Sequence, residues 1–147
     1  MTGPVFVDTN VLLYAFDEAD PIKQAAAQAW RAALWKSRAG RISFQVLQEF
    51  YVNVRQKWPS AAEAARAEIR DLLAWHPVAI DGALLERGWK TQDRYRLSFW
   101  DAMIVAAANV SGCGYLLTED LQSGQTLDGV TVVSPFHTSP ESTLVSE

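Results

Sequence analysis

The stretch Val5–Tyr14, which reads VFVDTNVLLY, decides the fold that we expect for this chain. Its first three residues are apolar and two of them are β-branched, a pattern typical of a short strand buried on both faces of a parallel sheet. Asp8 follows at the end of that strand, two turn and capping residues come next, and a helix is predicted over Val11–Phe16. Ligands of open α/β sheets bind at the carboxyl ends of the strands. Asp8 is therefore either a functional acid or only a cap of the following helix.

The rest of the chain alternates between helical and strand patterns. We predict helices over 22–36, 44–58, 61–75, 82–91 or a little further, and 99–110. We also predict a very short strand or extended link at Ile42, further strands over 78–80, 115–118 and 131–133, and loops over 38–41 and 93–97. The predicted N-caps are Asp20, Ser43, Asp81 and Ser98, with Ser60 and Glu63 forming a capping box. Strands that alternate with helices predict one α/β domain with a parallel sheet and helices on its faces.

Composition indicates an ordinary globular domain. The chain has 147 residues, of which 49% are hydrophobic and 20% charged, enough for one sizeable core. The single cysteine, Cys113, excludes an internal disulfide and a cysteine-built zinc site. No uncharged apolar run approaches the roughly 18 residues that a membrane span needs, and the start lacks the basic region of a signal peptide. These features predict a protein of the reducing cytoplasm without a membrane partner.

Charge is distributed unevenly along the chain. All 13 Lys and Arg residues lie within residues 1–96, together with 11 acids, whereas residues 97–147 carry six acids and no Lys or Arg. Acids in the last third therefore need cations from earlier segments, or a metal ion, to neutralise them.

Four acids fall where this architecture can gather them. Asp8 ends the first strand, Asp120 closely follows the strand over 115–118, Asp101 lies in the first turn of an apolar helix, and Glu49 lies at the edge of a buried helix face. Each has a simpler role available: Asp101 as part of a capping box with Ser98, Glu49 as a solvated helix residue, and Asp120 as a turn residue. Glu119 is an alternative to Asp120.

If the four acids converge, they require a cation. Two carboxylates ~5 Å apart repel each other by roughly 3 kcal/mol at an effective dielectric constant of 20. Sites built only from carboxylate oxygens suit Mg²⁺ or Mn²⁺ rather than zinc or copper. Such an ion activates water and stabilises charge on a phosphoryl group, which indicates phosphoester hydrolysis.

Four segments resemble the acidic motifs of the PIN-domain nucleases: Asp8-Thr9-Asn10, Leu47-Gln48-Glu49-Phe50, Ser98–Ile104 (SFWDAMI) and Leu117–Leu121 (LTEDL). More narrowly, the chain resembles VapC-type toxins of bacterial toxin–antitoxin pairs over about Val5–Val133. The resemblance implies a PIN-like three-layer α/β/α domain with a short central parallel sheet, and Mg²⁺-dependent endoribonuclease activity. It also implies a homodimer and a cognate VapB-type antitoxin. Carried over by position, Asp8, Glu49, Asp101 and Asp120 would be the catalytic, metal-binding acids, with Thr9, Asn10 and Thr118 as polar supports.

The sequence also predicts the bounds of the domain and the arginines that contact RNA. We expect the nuclease domain to cover 1–137, followed by a flexible polar tail over 138–147. RNA bound beside an acidic site needs nearby cations. Loops at two helix starts supply them in Arg38, Arg41, Arg94 and Arg96, although solvated loop charges explain these residues equally well.

Three other functions remain open at this stage. The first is a non-toxin PIN-type RNA-processing nuclease. A Mg²⁺-dependent phosphatase with a strand-end Asp nucleophile is disfavoured, because Asn10 stands where a second Asp is expected and no Lys follows Lys90. A non-catalytic binding module of the same fold is the third.

Overall fold

A five-stranded, mostly parallel sheet forms the centre of the computed structural model, which describes residues 3–144. The strands are β1 (Val5–Val7), β2 (Gly40–Arg41), β3 (Tyr115–Leu117), β4 (Thr126–Leu127) and β5 (Val130–Val133). Their order is β2-β1-β3-β5-β4, and only the β4–β5 pairing is antiparallel. Every residue of β1 is buried, as expected for a strand covered on both faces. The predicted parallel α/β sheet is confirmed.

Seven helices surround the sheet within the described residues. They are α1 (Thr9–Tyr14), α2 (Pro21–Ser37), α3 (Phe44–Lys57), α4 (Ala62–Leu72), α5 (Gly82–Tyr95), α6 (Phe99–Val110) and α7 (Pro140–Thr143), with single 3₁₀ turns at Pro59–Ala61 and Leu73–Trp75. Together with the sheet they give the PIN-like α/β architecture that the sequence predicts. None of these helices is long and apolar enough to cross a membrane.

The four predicted N-caps form hydrogen bonds to the first turns of their helices. Asp20, Ser43, Asp81 and Ser98 each accept one from the backbone N–H three residues later, at 2.8–3.2 Å. The bounds of α6 match the prediction residue for residue, because Ser98 caps its start and the tight turn around Gly112 follows its end.

The core lies between the sheet and the helices, and α6 contributes most to it. Seven consecutive residues of this helix, Ala102–Ala108, are buried. Gly88 of α5 lies directly against the Met103 side chain of α6, so the two helices approach closely where α5 has no side chain. A buried, closely packed α6 holds its first turn, with Asp101, in a fixed position.

Three predicted elements around α3 and α4 are wrong in detail. The strand expected over 78–80 is reduced to one parallel bridge between Val78 and Ser43, because the chain turns into α3 directly after Ser43. The strand expected at Ile42 is formed instead at Gly40–Arg41, within the predicted loop. The helix expected over 61–75 begins and ends in 3₁₀ turns around α4.

The predicted capping box of Ser60 and Glu63 is also absent. Ser60 lies inside the 3₁₀ turn and makes no side-chain cap, while Glu63 forms ion pairs with Arg66 at 3.3 Å and Arg70 at 3.1 Å. Two arginines on the next helical turns are therefore the stronger partners for this carboxylate.

The predicted loop over 93–97 is mostly helical, since α5 continues to Tyr95. Asp128 explains the extra turn: its carboxylate accepts hydrogen bonds from Thr91 at 2.8 Å and Tyr95 at 3.1 Å, and pairs with Arg94 at 3.3 Å. A contact 33 residues away in sequence is not visible in the local pattern. Strand β4, which the sequence did not predict, lies just before this aspartate.

Residues 138–144, at the start of the predicted tail, include α7. The Trp30 indole N–H donates hydrogen bonds to the carbonyls of Pro135 at 3.1 Å and Thr138 at 3.2 Å, and Pro140 is buried. Residues 145–147 lie outside the described residues, and the division into a nuclease domain and a flexible tail stays a prediction.

Candidate active site at the carboxyl edge of the sheet

Parallel pairing of β1 and β3 brings their carboxyl ends together. Val7 lies opposite Leu117, and the Asp8 N–H donates to the Leu117 carbonyl at 3.1 Å. Thr118, the residue that follows β3, donates its hydroxyl to Asp8 Oδ2 at 2.9 Å. Residues 110 positions apart are thus fixed side by side by sheet register.

Asp8 is a buried carboxylate, only 6% exposed. Its Oδ1 accepts the Thr9 backbone N–H at 2.7 Å, so it also serves as the cap of α1, which therefore begins two residues before the predicted start. Desolvation by burial raises the pKa of Asp8 to about 7. The hydrogen bonds from Thr9 and Thr118 oppose this rise, and the negative charges of Asp120 and Glu49 add to it. At neutral pH the buried Asp8 carboxyl group therefore either holds a proton or, when it is ionised, needs a bound cation to balance its charge.

Asn10 links Asp120 to this edge. Its side-chain amide donates to Asp120 Oδ2 at 3.1 Å, to Thr118 Oγ1 at 3.0 Å and, more weakly, to Asp8 Oδ2 at 3.4 Å. The neighbouring acid, Glu119, is instead 3.0 Å from Lys23. The hydrogen bonding supports Asp120 over Glu119 as the acid that accompanies Asp8.

Glu49 reaches the same edge from α3. Its Oε2 accepts the Thr9 hydroxyl at 2.8 Å, and its Oε1 accepts the side-chain amide of Gln45 at 3.0 Å. Gln45 is buried and one helical turn before Glu49. The sequence analysis did not predict that Gln45 positions Glu49, although the i, i+4 spacing of an amide and an acid was a signal for it.

Asp101 stands apart from this network. Its backbone N–H donates to Ser98 Oγ at 3.1 Å, but within residues 3–144 its carboxylate makes no hydrogen bond or ion pair, so the return bond of the alternative capping box is absent. The next-door side chains Phe99 and Trp100 line a groove together with Glu49, so the start of α6 lies beside α3. The structure joins Asp8, Glu49 and Asp120, whereas the inclusion of Asp101 stays a prediction.

The predicted supports all take part in the network. Thr9, Asn10 and Thr118 each donate at least one side-chain hydrogen bond to an acid of the site. No ion pair to Asp8, Glu49, Asp101 or Asp120 exists among the described residues.

Two of the predicted RNA-binding arginines lie at the opposite edge of the sheet. Arg38 ends α2, and the carbonyl of the next residue, Ala39, accepts the N–H of Val5, where β1 begins. Arg41 folds back to bind the Arg38 carbonyl at 3.0 Å. Since Asp8 follows the other end of β1, these arginines do not line the acids of their own chain.

The other two predicted arginines lie at the end of α5. Arg94 pairs with Asp128 at 3.3 Å, and Arg96 ends the helix in a left-handed conformation with φ of 57°. Both precede the loop into α6. The cation that does lie beside the acids, Lys23, was missed because it occupies an ordinary position in the first turn of α2.

The acids fit a hard divalent cation by their chemistry. Carboxylate oxygens are the ligands of Mg²⁺ and Mn²⁺, and a desolvated Asp8 near two further negative charges favours a cation over solvent. Within residues 3–144, however, no three His, Cys, Asp or Glu residues lie close enough to form a ready ligand set. Mg²⁺ sites in general use one or two carboxylates and complete their coordination with water and substrate phosphates.

An apolar groove of about 630 Å³ opens beside Glu49. Its exposed apolar side chains are Trp100 at 63%, Val52 at 55% and Ile80 at 49%. Exposed apolar surface gathered in one place is typical of a surface that binds a partner.

The fold and the carboxylates of this edge define a member of the PIN-domain family, to which the chain belongs: the PIN domain profile matches residues 5–124. Solved structures of this fold include a toxin–antitoxin complex from Klebsiella pneumoniae, with 23% identity, a TM-score of 0.65, and coverage of 89% of this chain and 97% of that one. VapC20 of Mycobacterium tuberculosis, a toxin that cleaves the sarcin–ricin loop, has 23% identity and a TM-score of 0.60, with coverage of 76% of this chain and 86% of that one. DNA-bound VapBC from Salmonella typhimurium has 14% identity and a TM-score of 0.64, with coverage of 91% of this chain and 99% of that one. No curated protein sequence matches the chain significantly.

Proposed function

We propose that this chain is a Mg²⁺-dependent endoribonuclease and the toxin of a type II toxin–antitoxin pair. The observation that carries the proposal is the buried Asp8 carboxylate, hydrogen-bonded at the carboxyl edge of the sheet and close to the charges of Glu49 and Asp120. A site of this kind concentrates negative charge that only a cation or a proton relieves. Membership of the PIN-domain family supports the same activity.

In this proposal Asp8 and Asp101 would hold Mg²⁺ or Mn²⁺, and Glu49 and Asp120 would complete or tune its surroundings. The bound ion would activate a water and neutralise charge on the phosphodiester. Thr9, Asn10 and Thr118 hold the carboxylates in place through the hydrogen bonds described above. A carboxylate would orient the water and accept its proton as the water oxygen bonds to phosphorus, while the bond from phosphorus to the 3′ oxygen breaks and that oxygen takes up a proton from solvent. The products are a 5′-phosphate and a 3′-hydroxyl.

The partners in the proposal are an RNA substrate, a second copy of the chain and a VapB-type antitoxin. The support for protein partners is the apolar groove beside Glu49 and the fold shared with toxin–antitoxin complexes. Arg94 and Arg96, which precede the loop into the Asp101 helix, contact RNA phosphates in this proposal. Arg38 and Arg41 do not contact RNA at the site of their own chain, because they lie at the opposite edge of the sheet.

The test is cleavage of RNA by the purified protein with Mg²⁺ and with EDTA. We expect cleavage only with the metal, and a loss of at least about a hundredfold in Asp8→Asn and Asp101→Asn. Asp93→Asn, which removes an exposed acid on α5, is the matched control and keeps full activity. Activity in both site variants would reject the mechanism, and activity in Asp101→Asn alone would remove that residue from it.

The toxin role needs a separate test. Induced expression of the chain in a bacterial host should stop growth, and Asp8→Asn should not. Growth arrest that persists in Asp8→Asn would contradict toxicity through cleavage. Unimpaired growth with an RNA-cleaving chain would favour a housekeeping RNA-processing enzyme.

A further inference from the structure

We propose that Lys23 forms a phosphate-binding subsite beside the carboxylates and that Glu119 occupies it until RNA replaces the carboxylate. The inference rests on the proposed function and adds a residue for which the acidic motifs assign no role. The ligand is a phosphodiester group of the RNA backbone, next to the bond that is cleaved.

Lys23 is the cation that approaches the acidic edge. Its Nζ lies 3.0 Å from Glu119 Oε2, and Glu119 is the neighbour of Asp120. Within residues 3–144, Lys23 is the only Lys or Arg paired with an acid of this edge. A polyanion that approaches Asp8, Glu49 and Asp120 meets strong repulsion unless a cation lies along its path.

The position of the Lys23 ammonium does not depend on Glu119 alone. Its Nζ lies 4.7 Å from the ring centroid of Tyr14 and 4.9 Å from that of Phe136, and 3.4 Å from the Tyr14 hydroxyl. The backbone of Lys23 is fixed as well, because its N–H is bonded to the Asp20 cap at 3.2 Å. Removal of the Glu119 charge should therefore leave the ammonium in place and make it available to a phosphate.

The ion pair is accessible to an incoming strand. The Lys23 side chain is 35% exposed and that of Glu119 is 27% exposed. Pairs of this exposure are weak, so a phosphate can compete with the carboxylate. Glu119 is also tied to the network through its backbone N–H, which donates to Asn10 Oδ1 at 3.4 Å, so the loop itself need not move.

The proposal predicts opposite effects of the two substitutions. Lys23→Gln should raise KM for a single-stranded RNA about five- to tenfold with little change in kcat, and lower the salt dependence of binding by about one phosphate contact. Glu119→Gln should lower KM about two- to threefold. Lys36→Gln, which removes an exposed lysine from the other end of α2, and Glu86→Gln, which removes an exposed acid from α5, are the controls and should leave KM unchanged.

A double-mutant cycle separates occupation of the subsite from simple repulsion by Glu119. If Glu119 blocks Lys23, Glu119→Gln should have no effect on KM once Lys23 is Gln. An equal gain in both backgrounds would overturn the proposal, as would a Lys23→Gln variant that behaves like its control. Fluorescence anisotropy of the same RNA, measured with the Lys23 and Glu119 substitutions in an Asp101→Asn background, gives a second readout of binding without cleavage. An absence of Mg²⁺-dependent cleavage in the unmodified protein would instead reject the proposed function itself.

Discussion

Thr9 and Glu49 are joined by a hydrogen bond of 2.8 Å from the threonine hydroxyl to Oε2, across 40 residues of sequence. The same threonine donates its backbone N–H to Asp8 at 2.7 Å. One residue therefore sets the positions of two carboxylates, one at the end of β1 and the other on α3. Since α1 begins at Thr9, the start of this helix is part of the candidate active site.

The Thr9 hydroxyl should matter for activity without touching substrate. We expect Thr9→Val to lower kcat about tenfold or more and to weaken metal binding, because Glu49 loses the bond that orients it. Thr9→Ser keeps a hydroxyl and should restore most of both. Steady-state kinetics with a Mg²⁺ titration measure the effect, and a valine variant with unchanged metal dependence would show that Glu49 needs no such support.

Stability of the metal-free protein should depend on the protonation of Asp8. Its pKa is about 7 in the folded chain against an ordinary value of 3.8, so the contribution of Asp8 to stability is fully present below pH 3.8 and is lost as the pH rises towards 7. The full change is at most about 4 kcal/mol at about 1.4 kcal/mol per pKa unit. Asp8→Asn removes this titration and should become progressively more stable than the unmodified chain between pH 4 and 7. Urea unfolding in EDTA across this range measures the difference, and parallel pH profiles would contradict the burial effect.

Addition of Mg²⁺ at neutral pH should restore the stability that the protein loses when the buried Asp8 carboxyl group ionises. A ligand that binds only the folded state stabilises it by about 2.7 kcal/mol at a hundred times its Kd. We expect Mg²⁺ to raise the melting temperature of the unmodified chain at pH 7.5 and to have little effect on Asp8→Asn. Equal shifts in the two proteins would place the bound ion away from Asp8.

The ring of Trp75 leaves no room for a side chain at Gly40 in β2. A Cβ built at this glycine lies 2.7 Å from three atoms of the indole, closer than packed atoms approach. Gly40→Ala should therefore lower the free energy of unfolding by about 1–3 kcal/mol. Gly82→Ala is the control, since nothing lies within 4 Å of its Cβ and alanine suits the first turn of α5. Urea unfolding compares the two, and equal stability would mean that Trp75 moves aside at little cost.

Local sequence signals predicted the parts of the fold that depend on neighbours along the chain. The caps at Asp20, Ser43, Asp81 and Ser98 and the bounds of α6 follow from residues within one helical turn. The extension of α5 to Tyr95 could not be predicted from neighbouring residues, because Asp128 stabilises it from a distant turn. The two-residue strand β4 also escaped prediction, and β2 was expected at Ile42 instead of Gly40–Arg41, since the pairing partners of these strands, rather than their own residues, make them strands.

The candidate site shows the same division. Asp8 and Asp120 could be placed at one edge from the order of the strands, because parallel strands share their carboxyl ends. The bonds of Asn10 and Thr9 to acids on other elements require side-chain directions that the sequence does not contain. Arg38 and Arg41 were expected near the acids for their charge, but the chain enters β2 at the amino edge of the sheet. Lys23 lies beside the acids without any motif around it.

Both outer positions of the sheet are occupied by very short strands, β2 at one side and β4 at the other. Each has only two residues. A long unpaired border offers its free N–H and C=O groups to foreign chains and seeds aggregation. Within residues 3–144 the sheet offers almost none, so association of the chain should be governed by side-chain surfaces instead of backbone recruitment.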